Sequence, residues 1–242
     1  MIVVTSYYEI KNYIVRNINF KKPQNYIKRF NDIIDYIIKI KLYTQITCFY
    51  IYVNDNIIKE KIESILYKYN KLLKCKVIIK DICPEALEMS KYIADDCGRK
   101  DGERLNNGIA KKLIQVWCNK VLLLRYTYQT YKHRDKYTWI DFGIPIPYIK
   151  RKKLDKIHLN NMLLNNNYIY IKPCTGPKNF GGKCPISAQF IANLFMIDYT
   201  FLLEFTELFL KSFHEFSIYT EYFDEEIIMQ YMYLMNFIKV IN

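Results

Sequence analysis

The chain has 242 residues, 51% of them hydrophobic, and its 36 Lys and Arg outweigh 24 Asp and Glu to give a net charge of +12. This composition excludes a disordered tail or a linker, and the length allows one α/β domain with a sizeable core. The positive charge favours an anionic partner, whether nucleic acid, an acidic membrane surface or a phosphate-bearing small molecule, and does not choose among them.

The cysteines and the apolar segments bear on the compartment. The seven cysteines form no CxxC pair and have no histidine at metal-ligand spacing, so we expect reduced thiols rather than a zinc site or a disulfide framework. The first residues lack the features of a signal peptide. No apolar stretch is long and uncharged enough for a transmembrane helix. We therefore expect a cytoplasmic protein.

The first part of the chain alternates between strand and helix patterns. Helical spacings begin at Pro23, after Asn54 or Asp55, and at Pro84. β-Prone runs separate them, at residues 2–8, 45–53 and 76–82. The short connections predict parallel pairing of the strands through right-handed crossovers.

A glycine-rich loop and a long helix follow. Residues 97–108 carry three glycines and five charges and form either a solvated loop or a mobile lid. Residues 109–132 have one continuous helical pattern. Lys120 on this helix is either a solvated charge or a cation that reaches a diphosphate.

The apolar run at residues 137–144 is the centre of the prediction. The run predicts a buried strand that places Asp141 at the carboxyl-terminal edge of the sheet, where open α/β sheets bind their ligands. Gly143 and the prolines after it end the strand. A glycine there also allows a close approach to the backbone. Asp141 is therefore either an ordinary turn residue or a contact for a metal-phosphate group or a ribose.

The last third contains a basic run and further elements. The five Lys and Arg residues within 150–156 form either a solvated face or a contact for an acidic partner. Residues 168–172 predict a strand. Ser187 is expected to cap a long, aromatic-rich helix that runs to about Phe213, with its aromatic side chains in the core.

Two small clusters in this last third are candidates for a site. Gly181 and Gly182 form either a tight turn or a place where a ligand meets free backbone amides. Asp224, Glu225 and Glu226 fall in the first turn of a final helix, where the helix dipole favours carboxylates. A carboxylate there is alternatively a general base that activates an acceptor hydroxyl.

Several enzyme classes are excluded because their motifs are missing. The DFG tripeptide at 141–143 has neither the glycine-rich loop nor the catalytic loop of a protein kinase. The chain has no Walker loop, no GxGxxG fingerprint and no GxSxG elbow. The three histidines make neither a zincin motif nor an obvious triad.

Five short segments follow one another along the chain: VVTSYYEIKN from residue 3, CNK at 118–120, WIDFGI at 139–144, FGG at 180–182 and DEE at 224–226. In this order they resemble the HtrL/YibB-like family, which is similar to nucleotide-sugar glycosyltransferases of the GT-A fold. The resemblance runs along most of the chain, and WIDFGI is its most specific segment. It implies a single α/β domain with a GT-A-like (Rossmann-like), mixed, mostly parallel sheet flanked by helices.

The resemblance also implies a function and a division of the chain. The protein would move a sugar from a nucleoside-diphosphate sugar to a hydroxyl of a glycan or protein acceptor. Residues 1–95 would form the nucleotide-binding half, 96–108 a mobile loop, and 109–242 the half that holds metal, donor and acceptor.

Single residues receive roles from the same resemblance. Asp224 or Glu225 would be the catalytic base. Asp141 would ligate a divalent cation, Mn²⁺ or Mg²⁺, although Gly143 replaces the second acid of an Asp-x-Asp motif and leaves a thin ligand set. The donor would contact Thr5, Ser6, Tyr7, Lys120, Asp141, Gly143, Gly181 and Gly182.

Two alternatives to an active transferase stay open. One is a non-catalytic basic module that binds nucleic acid or an acidic surface, and the other is a degenerate transferase kept as a binding protein. Nucleic-acid binding predicts lysine and aromatic residues concentrated on one exposed face. The sequence instead spreads lysine over every helix and places most aromatic residues at core spacing, which favours the enzyme.

Overall fold

Seven strands and six α-helices make up the part of the chain that this computed structural model describes, which is residues 1–8, 23–92, 109–144, 146, 168–178, 188–218 and 225–241. The strands are β1 (Ile2–Tyr7), β2 (Cys48–Val53), β3 (Cys75–Ile79), β4 (Lys136–Ile140), β5 (Tyr168–Lys178), β6 (Ala188–Asp198) and β7 (Lys239–Ile241). The helices are α1 (Pro23–Lys39), α2 (Asn56–Tyr67), α3 (Pro84–Ser90), α4 (Ile109–Tyr131), α5 (Tyr199–Ser217) and α6 (Glu225–Leu234).

All seven strands belong to one sheet, in the order β3-β2-β1-β4-β6-β5-β7. The strands β1 to β4 pair in parallel, as do β5 and β7. Strand β6 is antiparallel to both of its neighbours, β4 and β5. The prediction of an α/β fold with a mixed, mostly parallel sheet and flanking helices is therefore confirmed.

The sheet separates two hydrophobic cores. One lies on the face covered by α1 and α2, and the other on the face covered by α4, α5 and α6. Every residue of β1 and β2 is buried. A strand that is covered on both faces needs apolar side chains at consecutive positions, and this explains the continuous runs IVVTSY and CFYIYV.

The helix starts follow ordinary capping chemistry. Asp55 caps α2, because its Oδ1 accepts a hydrogen bond of 3.0 Å from the amide of Ile58. Pro84 occupies the first turn of α3, where its missing N–H costs nothing. The predicted helix starts at Pro23, after Asp55 and at Pro84 are thus confirmed.

Strand β6 corrects the prediction of one long helix from Ser187 to Phe213. Residues 188–198 form a strand instead, and α5 begins only after Asp198, whose Oδ1 accepts a hydrogen bond of 2.9 Å from the amide of Thr200. The β6 side chains from Leu194 to Ile197 are all buried. A short, continuous apolar run fits a doubly covered strand as well as a buried helix, so its periodicity does not separate the two.

Smaller differences concern the ends of elements. Strand β2 begins at Cys48 rather than residue 45, because a short 3-10 helix at Leu42–Gln45 brings the chain back from α1 to the sheet. Strand β4 ends at Ile140, before the turn that precedes Ile144. Strand β7 was not predicted. In the described part of the chain, no helix has the length and apolarity to span a membrane.

Candidate functional site

The carboxyl-terminal edge of the parallel strands gathers several of the predicted site residues. Strands β1 and β4 are neighbours and run in the same direction, so their last residues meet at one edge. Asp141 directly follows β4, as predicted. Its amide donates a hydrogen bond of 2.9 Å to the carbonyl of Asn193 in β6, which extends the ladder by one residue.

The carboxylate of Asp141 is held by its own strand. The indole Nε1 of Trp139 donates a hydrogen bond of 2.6 Å to Asp141 Oδ1. The two residues are two positions apart, so their side chains leave the strand on the same face. The amide of Ile144 donates to the carbonyl of Asp141 at 3.1 Å and closes a turn. The side chain of Asp141 is 32% exposed, which leaves it in reach of a ligand.

Lys120 of α4 connects Asp141 to a second carboxylate. Its Nζ lies 2.9 Å from Asp141 Oδ1 and 2.6 Å from Glu225 Oε1, and it also donates to the carbonyl of Ala192 at 3.4 Å. The lysine is 5% exposed. The interpretation of Lys120 as a solvated helix charge is therefore wrong, since the side chain forms a buried ion-pair network.

The charge of Lys120 depends on these two carboxylates. Burial alone lowers the pKa of an ammonium group, but the negative charges of Asp141 and Glu225 and their hydrogen bonds outweigh it, so the pKa of Lys120 lies above its ordinary value. The lysine is therefore charged at every physiological pH.

The acidic turn at the start of α6 points inward. Glu225 and Glu226 are 3% and 8% exposed. Glu226 Oε1 accepts a hydrogen bond of 3.0 Å from the amide of Ala192 in β6, while Glu225 binds Lys120. Stabilisation of the helix dipole needs no burial, so this geometry assigns both carboxylates a role in joining α6 to the sheet and to α4.

The end of β1 lies beside this network. Thr5, Ser6 and Tyr7 are all buried, and the Thr5 hydroxyl has no hydrogen-bond partner among the residues that the structure describes. The ring of Tyr7 packs against Phe142 and Tyr26, with centroid separations of 5.1 and 5.8 Å. Aromatic rings thus surround the edge on the side of α1.

Gly143 is needed for packing at this edge. A Cβ built on Gly143 would overlap the ring of Tyr26, so the ring of α1 is the group that approaches this backbone. The guanidinium Nη1 of Arg29, one turn further along α1, donates to the carbonyl of Gly143 at 3.3 Å. The sequence anticipated a close approach here, but it did not identify Tyr26 or Arg29.

A second network lies on the α4 side of β1. The side chain of Asn119 is fully buried, and its Oδ1 accepts a hydrogen bond of 3.0 Å from the amide of Cys83. Its Nδ2 donates to the hydroxyl of Tyr8 at 3.2 Å. Asn119 therefore ties the end of β1 to the start of α3, next to Lys120 on the same helix. No local pattern marked Asn119 beyond its place in the CNK segment.

The donor atoms near Asp141 are few for a divalent cation. Gly143 contributes no side chain, and the Oδ1 atom of Asp141 already accepts from Trp139 and Lys120. Within the described ranges, no group of three or more His, Cys, Asp or Glu side chains is placed to hold a metal ion. Mg²⁺ takes one or two protein carboxylates together with waters and substrate phosphates. The Asp141 carboxylate is already paired with the buried ammonium of Lys120, so the described residues do not fit such an ion.

The predicted site residues divide into two groups. The described ones, Thr5, Ser6, Tyr7, Lys120, Asp141, Gly143 and Glu225, lie near the end of β1 or around the Lys120 ammonium. Gly181, Gly182 and Asp224 lie outside the described residues, as do the loop at 97–108 and the basic run at 150–156. The roles assigned to all of them stay predictions.

Comparison with known proteins gives no family: no protein-family model matches the chain, and no curated protein matches it. A fold of this class hosts many activities. The function therefore has to be inferred from the residues at the sheet edge.

Proposed function

We propose that the protein is a GT-A-type glycosyltransferase that moves a sugar from a nucleoside-diphosphate sugar to an acceptor hydroxyl. One observation carries the proposal. Lys120, Asp141 and Glu225 come from three distant segments, and they meet in one ion-pair network at the carboxyl-terminal edge of the parallel strands, the edge where open α/β sheets bind their ligands. Groups whose pKa is strongly shifted by burial and by specific charged partners, as that of Lys120 is, cluster at functional sites.

The donor would lie across the ends of β1 and β4. The half-buried ring of Tyr26, which packs against Tyr7 at the end of β1, offers a surface for a nucleoside. Arg29 supports a diphosphate contact, since its guanidinium lies at the carbonyl of Gly143. Gly181 and Gly182 would flank the donor sugar, as the family resemblance implies.

The chemical step needs one base and a stabilised leaving group. The acceptor oxygen attacks C1 of the sugar and gives its proton to a carboxylate, while the bond from C1 to the diphosphate oxygen breaks. Glu225 is buried and ion-paired with Lys120, which favours Asp224 as the base. Glu225 then has a positioning role through Lys120.

The proposal is tested by measuring thermal unfolding and donor hydrolysis across a panel of nucleotide sugars. We expect one donor to stabilise the native chain by about 2.7 kcal/mol at about 100 times its dissociation constant. Asp141→Asn should abolish both the shift and the turnover, because it removes the carboxylate that holds the Lys120 ammonium at this edge.

The control for this experiment is Glu63→Gln, on the exposed surface of α2. It should bind and hydrolyse the donor like the native chain. A native chain that binds none of the nucleotide sugars would contradict the transferase. A donor that still binds to Asp141→Asn with unchanged affinity would contradict the proposed location of the donor site at the ends of β1 and β4.

A second candidate function rests on a different surface. Here the exposed or half-buried residues Lys74, Lys76, Lys80, Tyr126 and Tyr131 form what we call the lysine–tyrosine face. The Nζ of Lys76 lies 4.4 Å from the ring centre of Tyr131, and that of Lys80 lies 3.8 Å from the ring centre of Tyr126. Lysines in and beside edge strand β3 alternate with tyrosine rings of α4, and proteins that bind single-stranded nucleic acid combine positive charge with aromatic rings in this way. This face supports the basic binding module as the alternative.

Binding of a labelled single-stranded oligonucleotide at increasing salt tests this candidate. If the face binds phosphates, log affinity falls linearly with log salt concentration. The magnitude of this slope should decrease by about 0.7 for each lysine removed, as in Lys76→Ala or Lys80→Ala. The matched controls are Lys59→Ala and Lys211→Ala, which lie on α2 and α5. Equal losses in all four variants would indicate that only the net charge matters, and would contradict a specific surface.

A further inference from the structure

The Lys120 ammonium occupies the position beside Asp141 that a divalent cation would need. The Lys120 ammonium lies 2.9 Å from the Oδ1 atom of Asp141, the residue that the resemblance assigns to metal binding. The same ammonium lies 2.6 Å from Glu225 Oε1, so one positive charge bridges two carboxylates as a bound metal ion would. A cation added at Oδ1 would have to approach against a buried ammonium and an indole N–H.

The bridging lysine also changes the charge of the edge. Two carboxylates make this edge negative and a departing diphosphate adds further negative charge, which a divalent cation offsets in a metal-dependent site. Lys120 neutralises part of that charge from inside the protein. Arg29 adds a second positive charge on the other side of Asp141, at the carbonyl of Gly143.

We propose that Lys120 is an internal cation that replaces the divalent metal ion at Asp141, so that the site works without metal. This inference rests on the proposed function, because the need for a cation comes from the departing diphosphate. Asp141 then acts as a fixed hydrogen-bond acceptor and not as a metal ligand. The replacement of the second acid by Gly143 follows naturally, since a lysine-bridged site needs no further carboxylate.

Titration with Mn²⁺, followed by electron paramagnetic resonance of the free ion, tests the inference without any donor. The native chain should show no saturable Mn²⁺ site, and its thermal unfolding should not change on addition of Mn²⁺ or a chelator. Lys120→Met leaves Asp141 and Glu225 facing each other without the ammonium. We expect this variant to gain Mn²⁺ affinity by about tenfold or more over the native chain, because ligand charge governs affinity for hard cations.

Three further variants sharpen the result. Lys120→Arg keeps the charge and should gain no Mn²⁺ affinity, and Lys112→Met removes an exposed lysine of the same helix and should also gain none. Adding Asp141→Asn to Lys120→Met should remove the gained affinity, since it removes one of the two carboxylates.

A saturable Mn²⁺ site in the native chain that Asp141→Asn abolishes would overturn the inference, and so would a folded Lys120→Met variant without any gain. If Lys120→Met does not fold, the titrations of the native chain and of Asp141→Asn still decide. The donor panel and the Mn²⁺ titration are independent. A chain that binds no nucleotide sugar contradicts the transferase, whereas a native metal site contradicts only the internal cation.

Discussion

Replacing Lys120 by methionine is expected to lower the free energy of unfolding by about 3–5 kcal/mol, the usual cost of breaking a buried ion pair from one side. Methionine matches the length of the lysine stem, so the packing of α4 is kept while the charge and the hydrogen bonds of the ammonium are lost. The variant leaves the buried carboxylate of Glu225, with a side chain that is 4% exposed, without this counter-ion. Urea unfolding at neutral pH measures the loss, and a domain with about 5–15 kcal/mol of stability can absorb it.

Control variants separate the effect of losing the ion pairs from the effect of changed packing. Lys112→Met on the exposed face of the same helix should change stability by less than about 0.5 kcal/mol. Adding Glu225→Gln to Lys120→Met should recover part of the loss, because the buried charge disappears with its partner. A loss below about 1 kcal/mol for Lys120→Met would show that the ion-pair network contributes little to the fold.

Alanine at Leu194 and at Phe195 should each destabilise the protein strongly, by about 2–5 and 3–5 kcal/mol. These consecutive β6 residues are 1% and 0% exposed, and they belong to the two different cores on opposite faces of the sheet. Each truncation therefore opens a cavity in a separate core. Urea unfolding of the two variants measures both losses.

The control for this pair is Leu203→Ala, at a position of α5 that is 41% exposed. It should cost well under 1 kcal/mol, because the leucine is only partly buried. If only one of the two β6 substitutions is costly, residues 188–198 do not have two buried faces. The placement of β6 inside the sheet would then be wrong.

The elements that the sequence predicts well are those with a clear period or a clear boundary. Strands β2 to β4 have apolar runs that end at or next to an Asn or Asp, and α1, α2 and α4 have a distinct helical spacing. Strand β6 lacks such a contrast, since a segment buried on two sides carries no polar stripe. Strand β7 has only three residues, too few for a pattern.

Only the Asp141 part of the site could be placed from the sequence. Asp141 could be placed because a strand end is visible in sequence. Lys120 resembles any exposed helix charge, since its partner Glu225 lies 105 residues further along the chain. Tyr26 and Arg29 are likewise brought to Gly143 by the packing of α1, and no pattern in the sequence around them predicts this contact. Long-range ion pairs and ring packing depend on the tertiary fold, which one sequence does not display.

The place of β1 in the sheet has a consequence for protein synthesis. Strand β1 lies between β2 and β4 and pairs with β4 through Ile2 and Tyr137, although β4 is synthesised much later than β1. Until β4 emerges, one side of β1 is an unpaired hydrophobic edge, a template for pairing with other chains. The nascent polypeptide therefore carries this aggregation hazard until β4 has been synthesised.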